Sequence, residues 1–233
     1  MDMSDIKQRL NQVLDQIHAA EEKYQRPRDS VTLLAVGKTW PLENILEAAA
    51  AGQHFFGENY VQESIAKIDG CTEKLEWHFI GHLQSNKSRE IATRFDWVHS
   101  VDRLKLAKRL SEQRPANLAP LNICLQVNIS NEPSKSGFLA SEIPELANQI
   151  NQLPNLKLRG LMAIPAPSDN FEQQRVTFRQ VATLQQQLIK QGMELDTLSM
   201  GMSGDMEAAI AEGATIVRVG TAIFGPRNTP VRA

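Results

Sequence analysis

The chain has 233 residues, 42% of them hydrophobic and 22% charged, with a formal net charge of −2. That composition excludes a disordered chain and leaves ample length for a large core. Neither half carries the basic block of a nucleic-acid binder, no apolar run is long enough to cross a bilayer, and MDMSDIKQRL lacks the apolar centre of a signal peptide, so a cytoplasmic protein without nucleic-acid or membrane partners is expected.

From about Asp2 to Tyr24, Ile6, Leu10, Val13, Leu14, Ile17 and Ala20 fall at the spacing of one helical face. An amphipathic leading helix is predicted. Val31 to Lys38, VTLLAVGK, then reads as a strand apolar on both faces, the mark of a buried parallel strand, and it ends in a single lysine. Strand and helix alternate from there: a helix over Pro41 to Ala51, a strand over His54 to Phe56, a helix over Val61 to Ile68 and a strand over Glu76 to Ile80. The next pairs are Gln84 to Arg94 with Trp97 to Val101, Arg103 to Gln113 with Leu121 to Ile129, and Ser141 to Gln152 with Leu156 to Ile164. PAPSDN stops that strand and supplies an N-cap for a helix over Phe171 to Gln191. Leu195 to Met200, a short helix over Asp205 to Ala211, Thr215 to Val219 and a last turn over Ala222 to Phe224 complete the series, and the tail from Pro226 reads as loose.

Eight short apolar strands, each followed by a helix, in a chain near the roughly 250 residues of a (β/α)8 barrel, predict an α/β fold of that type as a single domain spanning residues 1–233. A doubly wound open sheet would hold fewer strands and usually carries a glycine-rich turn after its first, where this chain has Lys-Thr-Trp-Pro.

In such a barrel the chemistry lies at the carboxyl ends of the strands. Those ends are Lys38, Glu58 to Tyr60, His82, Asn128, Met162, Gly201 to Ser203, and Arg218 to Thr221. The loops after strands seven and eight, GMSGDM and RVGTAIFG, suit a phosphate, because small residues let backbone N–H groups approach an anion. Ser203, Gly204, Gly220 and Thr221 form the predicted cradle, against the plainer reading of N-caps and turns. Lys38 is either a paired charge or an amine tuned for covalent chemistry. A Schiff-base lysine, a phosphorylated aldehyde and an arginine at a ring nitrogen would use Lys38, the cradle and Arg218 together.

Other signals fade. Lys87 and Lys135 sit in polar stretches and read as solvated or substrate-screening. His78 and His82 stand four apart, but strand residues and Gly81 separate them, so no helical face aligns them on a metal. GMSGD ends in Asp205 where a nucleophile elbow needs glycine, and no histidine follows Ser203. Asn59 and Tyr60 either line the mouth or cap the next helix, Trp77 and Trp97 read as packing, and Cys71 and Cys124 lack both disulfide framework and metal-ligand spacing.

VGKTWP, FGENYVQE, WHFIGHLQSNK, GLMAIPAP, SMGMSGDMEAAI and VRVGTAIFG together resemble the YggS/PROSC family of pyridoxal phosphate homeostasis proteins, over nearly the whole chain. That family is itself similar to the N-terminal barrel of alanine racemase and of eukaryotic-type ornithine decarboxylases. The resemblance implies pyridoxal 5'-phosphate (PLP) as cofactor, held as a Schiff base on Lys38. It also implies Ser203, Gly220 and Thr221 at the phosphate, Arg218 at the pyridine nitrogen, and Asn59 with His82 or Met202 flanking the ring. Gly37 departs from the pattern, since many relatives carry serine there. The implied role is binding, buffering or delivery of PLP in vitamin B6 homeostasis, affecting amino-acid and keto-acid metabolism, with PLP-dependent apo-enzymes as recipients. Racemases of the related type take a second acid/base tyrosine from an added domain of a neighbouring subunit, and this chain, with only Tyr24 and Tyr60, is expected to be a monomer without turnover. A racemase-like enzyme and a Schiff-base aldolase acting on a sugar phosphate are the alternatives.

Overall fold

The structure, a computed structural model, describes residues 3–130, 132 and 136–226. The strands are β1 (Thr32–Val36), β2 (Phe55–Glu58), β3 (Glu76–Phe79), β4 (Trp97–Val101), β5 (Leu121–Val127), β6 (Leu156–Ala163), β7 (Thr197–Ser199) and β8 (Ile216–Val219). All are parallel, and β8 returns to pair with β1, closing an eight-stranded barrel as the alternation predicts. The helices are α1 (Met3–Lys23), α2 (Leu42–Ala50), α3 (Val61–Gly70), α4 (Ser88–Arg94), α5 (Leu104–Gln113), α6 (Ile143–Asn151), α7 (Phe171–Lys190), α8 (Met206–Ala211) and α9 (Thr221–Phe224). The leading helix α1 packs against α2, α8 and α9 and so completes the outer ring. Asn170 caps α7, its side chain accepting the Gln173 N–H at 3.0 Å, as PAPSDN predicts. No helix of the described residues is long and apolar enough to cross a membrane.

Register sorts the strand residues into two layers. Val36 pairs with Gly57, Gly57 with His78 and His78 with Trp97, while Leu34 pairs with Arg218, so these positions share the inner face of the barrel. Their neighbours Leu33, Ala35, Phe56, Phe79 and Val98 face outward into the main core beneath the helices. Inside, Trp97, Cys124 and Met162 make a small apolar cluster of their own. Met162 is thus a correction to the predicted mouth: its side chain points into the barrel and is fully buried against Trp97 and Cys124 instead of standing at the rim.

One buried carboxylate fixes how the chain enters the barrel. Glu21, on α1, accepts the N–H groups of Asp29 and Val31 and the hydroxyl of Ser30, satisfying the donors just before β1. Lys135 and the tail beyond Pro226 lie outside the described residues.

Candidate functional site at the carboxyl end of the barrel

Strand β1 ends at Val36, two residues earlier than the apolar run suggests, and Lys38 sits half-buried on the turn that follows. The backbone explains the difference. Gly37 N–H still reaches Gly57 O at 3.0 Å, but Trp40 N–H turns back to Gly37 O and Thr39 adopts a left-handed φ of 68°. A β-branched residue there is strained, so the turn must be held from outside.

The holding group is a buried charge cluster that the sequence reading missed. Lys67 on α3 donates from Nζ to Gly37 O at 2.8 Å, to Glu58 Oε1 at 2.8 Å and to Glu63 Oε1 at 2.6 Å. Glu63 Oε1 in turn accepts the Thr39 N–H at 2.6 Å. The peptide groups on both sides of Lys38 are therefore tied to one ammonium and one carboxylate. Gly37 belongs to this packing, because a Cβ there would lie 2.4 Å from Ile45 Cδ1 and 2.8 Å from Glu58 Oε1. A serine at that position would require Ile45 to move.

Burial pushes the Glu58 carboxyl up to about 7 from an ordinary 4.5, against the pull of Lys67, and its Oε2 has no hydrogen-bond partner. The folded state holds this proton more tightly than the unfolded chain, so the contribution of Glu58 to stability is present below about pH 4.5 and is lost as pH rises to about 7. Glu58→Gln is expected to flatten the stability profile across that window. Denaturant midpoints at pH 5 and pH 7.5 check this, and a loss between the two pH values as large as in the unmodified protein would count against it.

On β8, next to β1, Arg218 is buried inside the barrel. It donates from Nη1 to Ser199 O at 2.6 Å and Ser199 Oγ at 2.8 Å, and from Nη2 to Ala163 O at 3.0 Å. A guanidinium has about five N–H donors, which leaves Nε–H and one Nη2–H for a ligand. Burial lowers Arg218 to about 10, still a cation at neutral pH.

Gly220 and Thr221 come directly after β8, Gly220 as the N-cap of the four-residue α9, whose Ile223 N–H donates to Gly220 O at 2.9 Å. A Cβ on Gly220 would come within 3.1 Å of Val36 O, so this turn lies close against the end of β1 and a side chain there would push the two apart by a few tenths of an ångström. Ser203 and Gly204 are exposed on the loop after β7, beside them. That loop is shaped by Asp205, whose Oδ1 accepts the Met202 N–H at 2.6 Å.

The structure therefore gathers Lys38, Arg218, Gly220, Thr221, Ser203 and Gly204 at the ends of three adjoining strands, β7, β8 and β1. Asn59 follows β2, and its buried Oδ1 lacks a partner, which favours lining the mouth over capping. Tyr60 is the N-cap residue of α3, without a side-chain cap bond, and is exposed. His82 stands further round, beyond β3, exposed and 3.4 Å from Ser136 Oγ. Met202 is exposed beside the cradle. Lys87 pairs loosely with Glu90 at 3.5 Å on the surface of the ring of helices.

Comparison with known proteins identifies the family. The alanine racemase N-terminal domain family matches residues 9–228. The pyridoxal phosphate homeostasis protein of Vibrio alginolyticus is 55% identical over 231 residues, covering 97% of this chain and 99% of that protein. The chain belongs to the pyridoxal phosphate homeostasis protein family. Among solved structures, PipY of Synechococcus elongatus PCC7942 with PLP bound superposes with a TM-score of 0.83 at 40% identity, over 94% of this chain and 100% of that one. Alanine racemase of Clostridium difficile shares the fold, with a TM-score of 0.76 at 15% identity over 97% of this chain and 58% of the racemase chain. The residues gathered at the barrel mouth fit PLP: an amine on a fixed turn, two spare guanidinium hydrogens for a ring nitrogen, and small-residue turns for a phosphate.

Proposed function

We propose that this protein binds pyridoxal 5'-phosphate covalently through Lys38 and works in vitamin B6 homeostasis, holding PLP and handing it to apo-enzymes that use it. The observation that carries the reading is the convergence of Lys38, after β1, with Arg218 on the paired strand β8 and Gly220 and Thr221 directly beyond it, in a member of a family whose relative PipY was solved with PLP bound. When bound, PLP supplies an aldehyde that an amine can capture reversibly and a ring that can draw electrons from the captured carbon.

The side chains divide the work. Lys38 is the capturing amine, fixed by the Lys67 and Glu63 bonds to its neighbouring peptide groups. Ser203, Gly204, Gly220 and Thr221 hold the phosphate with hydroxyls and first-turn N–H groups. Arg218 would donate to the ring nitrogen and so favour its unprotonated form, while Asn59 with His82 or Met202 would flank the ring.

These residues favour capture and release over turnover. A ring nitrogen that accepts from arginine is a weaker electron sink than a protonated one. Neither tyrosine is set up as a second acid or base: Tyr24 donates to Glu207 on the outer face at 3.0 Å, and Tyr60 is exposed. Adding PLP to the purified protein is expected to give saturable binding of one equivalent per chain, with the α-proton of alanine or serine exchanging for deuterium no faster than with free PLP. Absence of binding would overturn the proposal, and exchange well above the free-cofactor rate would replace it with the racemase-like reading.

A further inference from the structure

Beneath Arg218 a file of buried polar side chains crosses the barrel interior, where such barrels are usually filled by branched apolar residues. Arg218 Nη1 lies 2.8 Å from Ser199 Oγ, Ser199 Oγ lies 2.7 Å from His99 Nδ1, His99 Nε2 lies 2.8 Å from His78 Nδ1, and His78 Nε2 lies 3.0 Å from Glu76 Oε1. Ser199 and His99 are fully buried and His78 is 1% exposed, whereas Glu76 opens onto a cavity of about 300 Å³ at the amino end of the barrel, which Trp97, Arg159 and Asp196 also line. Arg159 is engaged there by Asp196, at 2.7 Å.

Both ends of this file dictate the same proton order. At one end a guanidinium can only donate, so Ser199 Oγ accepts from Arg218 and has its own hydrogen to give. At the other end a carboxylate can only accept, so His78 must carry its hydrogen on Nε2. Burial holds both imidazoles below their ordinary pKa, and each is neutral with one N–H. His78 Nδ1 then accepts from His99 Nε2–H, and His99 Nδ1 accepts from the Ser199 hydroxyl. Every donor points from Arg218 towards Glu76. The reverse order would set a bare His78 nitrogen against the Glu76 carboxylate.

A one-way chain of this kind aligns its dipoles, lone pairs towards the cation and hydrogens towards the anion. Among the described residues no carboxylate makes an ion pair with Arg218. We infer that Glu76, at the opposite end of the barrel from the proposed cofactor, is a positioning residue for Arg218, acting through His78, His99 and Ser199 to order the guanidinium for the ring nitrogen. This rests on the reading of Arg218 as the group that meets the ring of PLP. Glu76 is the anchor that sets the proton order, and Ser199 is the link that passes it to the guanidinium.

The test uses the full chain and PLP. Glu76→Gln replaces the obligate acceptor with an amide that can also donate, and Ser199→Ala breaks the file in its middle while leaving Arg218 its bonds to Ser199 O and Ala163 O. Each variant is expected to raise the dissociation constant for PLP about fivefold, the low end of coupling between distant sites, and to shift the visible absorbance maximum of the bound cofactor. The double variant is expected to be no weaker than either single one, because both remove the same path. Nitrogen-15 spectra of the cofactor-free protein should show His78 and His99 as Nε2–H tautomers. Unchanged binding in the variants, additive losses in the double variant, or an Nδ1–H tautomer at either histidine would each overturn the inference while leaving the proposed function standing. Failure of the unmodified protein to bind PLP would overturn both.

Discussion

Lys38→Ala is expected to abolish covalent capture of PLP altogether. The visible absorbance that develops when the unmodified protein meets the cofactor should be missing from the variant, and borohydride should fix no label. Binding through the phosphate turns and Arg218 persists, weakened about a hundredfold or more, the equivalent of roughly 3 kcal/mol. The fold should be untouched. Lys38 is half-buried beyond the end of β1, and its turn is held through Gly37 O and the Thr39 N–H. A variant that kept its visible band and its borohydride label would assign the capturing amine elsewhere, with Lys87 and Lys135 the next to examine.

Lys67→Met is expected to have the largest effect on stability. Lys67 is 5% exposed and supplies donors to three oxygens, two of them on Glu58 and Glu63. Methionine fills a similar volume but leaves the fully buried Glu58 without its ammonium, a change that costs about 3–5 kcal/mol when one partner of a buried pair is removed. Glu58 escapes part of that cost by taking a proton, so the variant should lose less stability at pH 5 than at pH 8. Adding Glu58→Gln should restore much of the loss, because a neutral pair needs no compensating charge. Denaturant titrations of both variants at the two pH values check this. Equal losses at pH 5 and pH 8, with no recovery in the double variant, would show that the cluster is not electrostatically coupled. Because Lys67 also holds Gly37 O, the single variant should bind PLP more weakly than its stability alone accounts for.

The barrel was legible in the sequence because eight short, mostly apolar strands alternate with helices along the chain, the pattern of a parallel sheet wrapped in helices. The sides of the candidate site were legible for a related reason: once the strands were counted, Lys38, Ser203, Arg218, Gly220 and Thr221 fell at strand ends that adjoin in the barrel. Strand limits were less so. VTLLAVGK runs on to Lys38, although β1 ends at Val36 and the chain then turns through a left-handed Thr39, and Met162, near the end of its strand, points into the barrel instead of lining its rim.

The supporting groups were hidden for physical reasons. His99 and Ser199 share their short strands with other polar residues, Ser100 in β4 and Thr197 in β7, and only the register across β3, β4, β7 and β8 brings them into line with Arg218. Their inward position was nonetheless available from the two-residue alternation around Trp97 and Val98. Glu63 and Lys67 stand at i and i+4 on α3, a spacing that ordinarily marks a solvated surface pair. What makes this one buried is Glu58, on a different element, and no pattern within α3 reports it. Glu21 was hidden likewise, since a carboxylate on a leading amphipathic helix gives no sign that it will cap the entry to β1.

The central claim is that one lysine, on the turn after the first strand, holds the cofactor. The most direct measurement is the peptide map of the unmodified protein after loading with PLP, reduction with borohydride and proteolysis. A single modified peptide is expected, with the added pyridoxyl phosphate mass on Lys38. A label on any other lysine, or a sugar phosphate trapped in place of PLP, would contradict it.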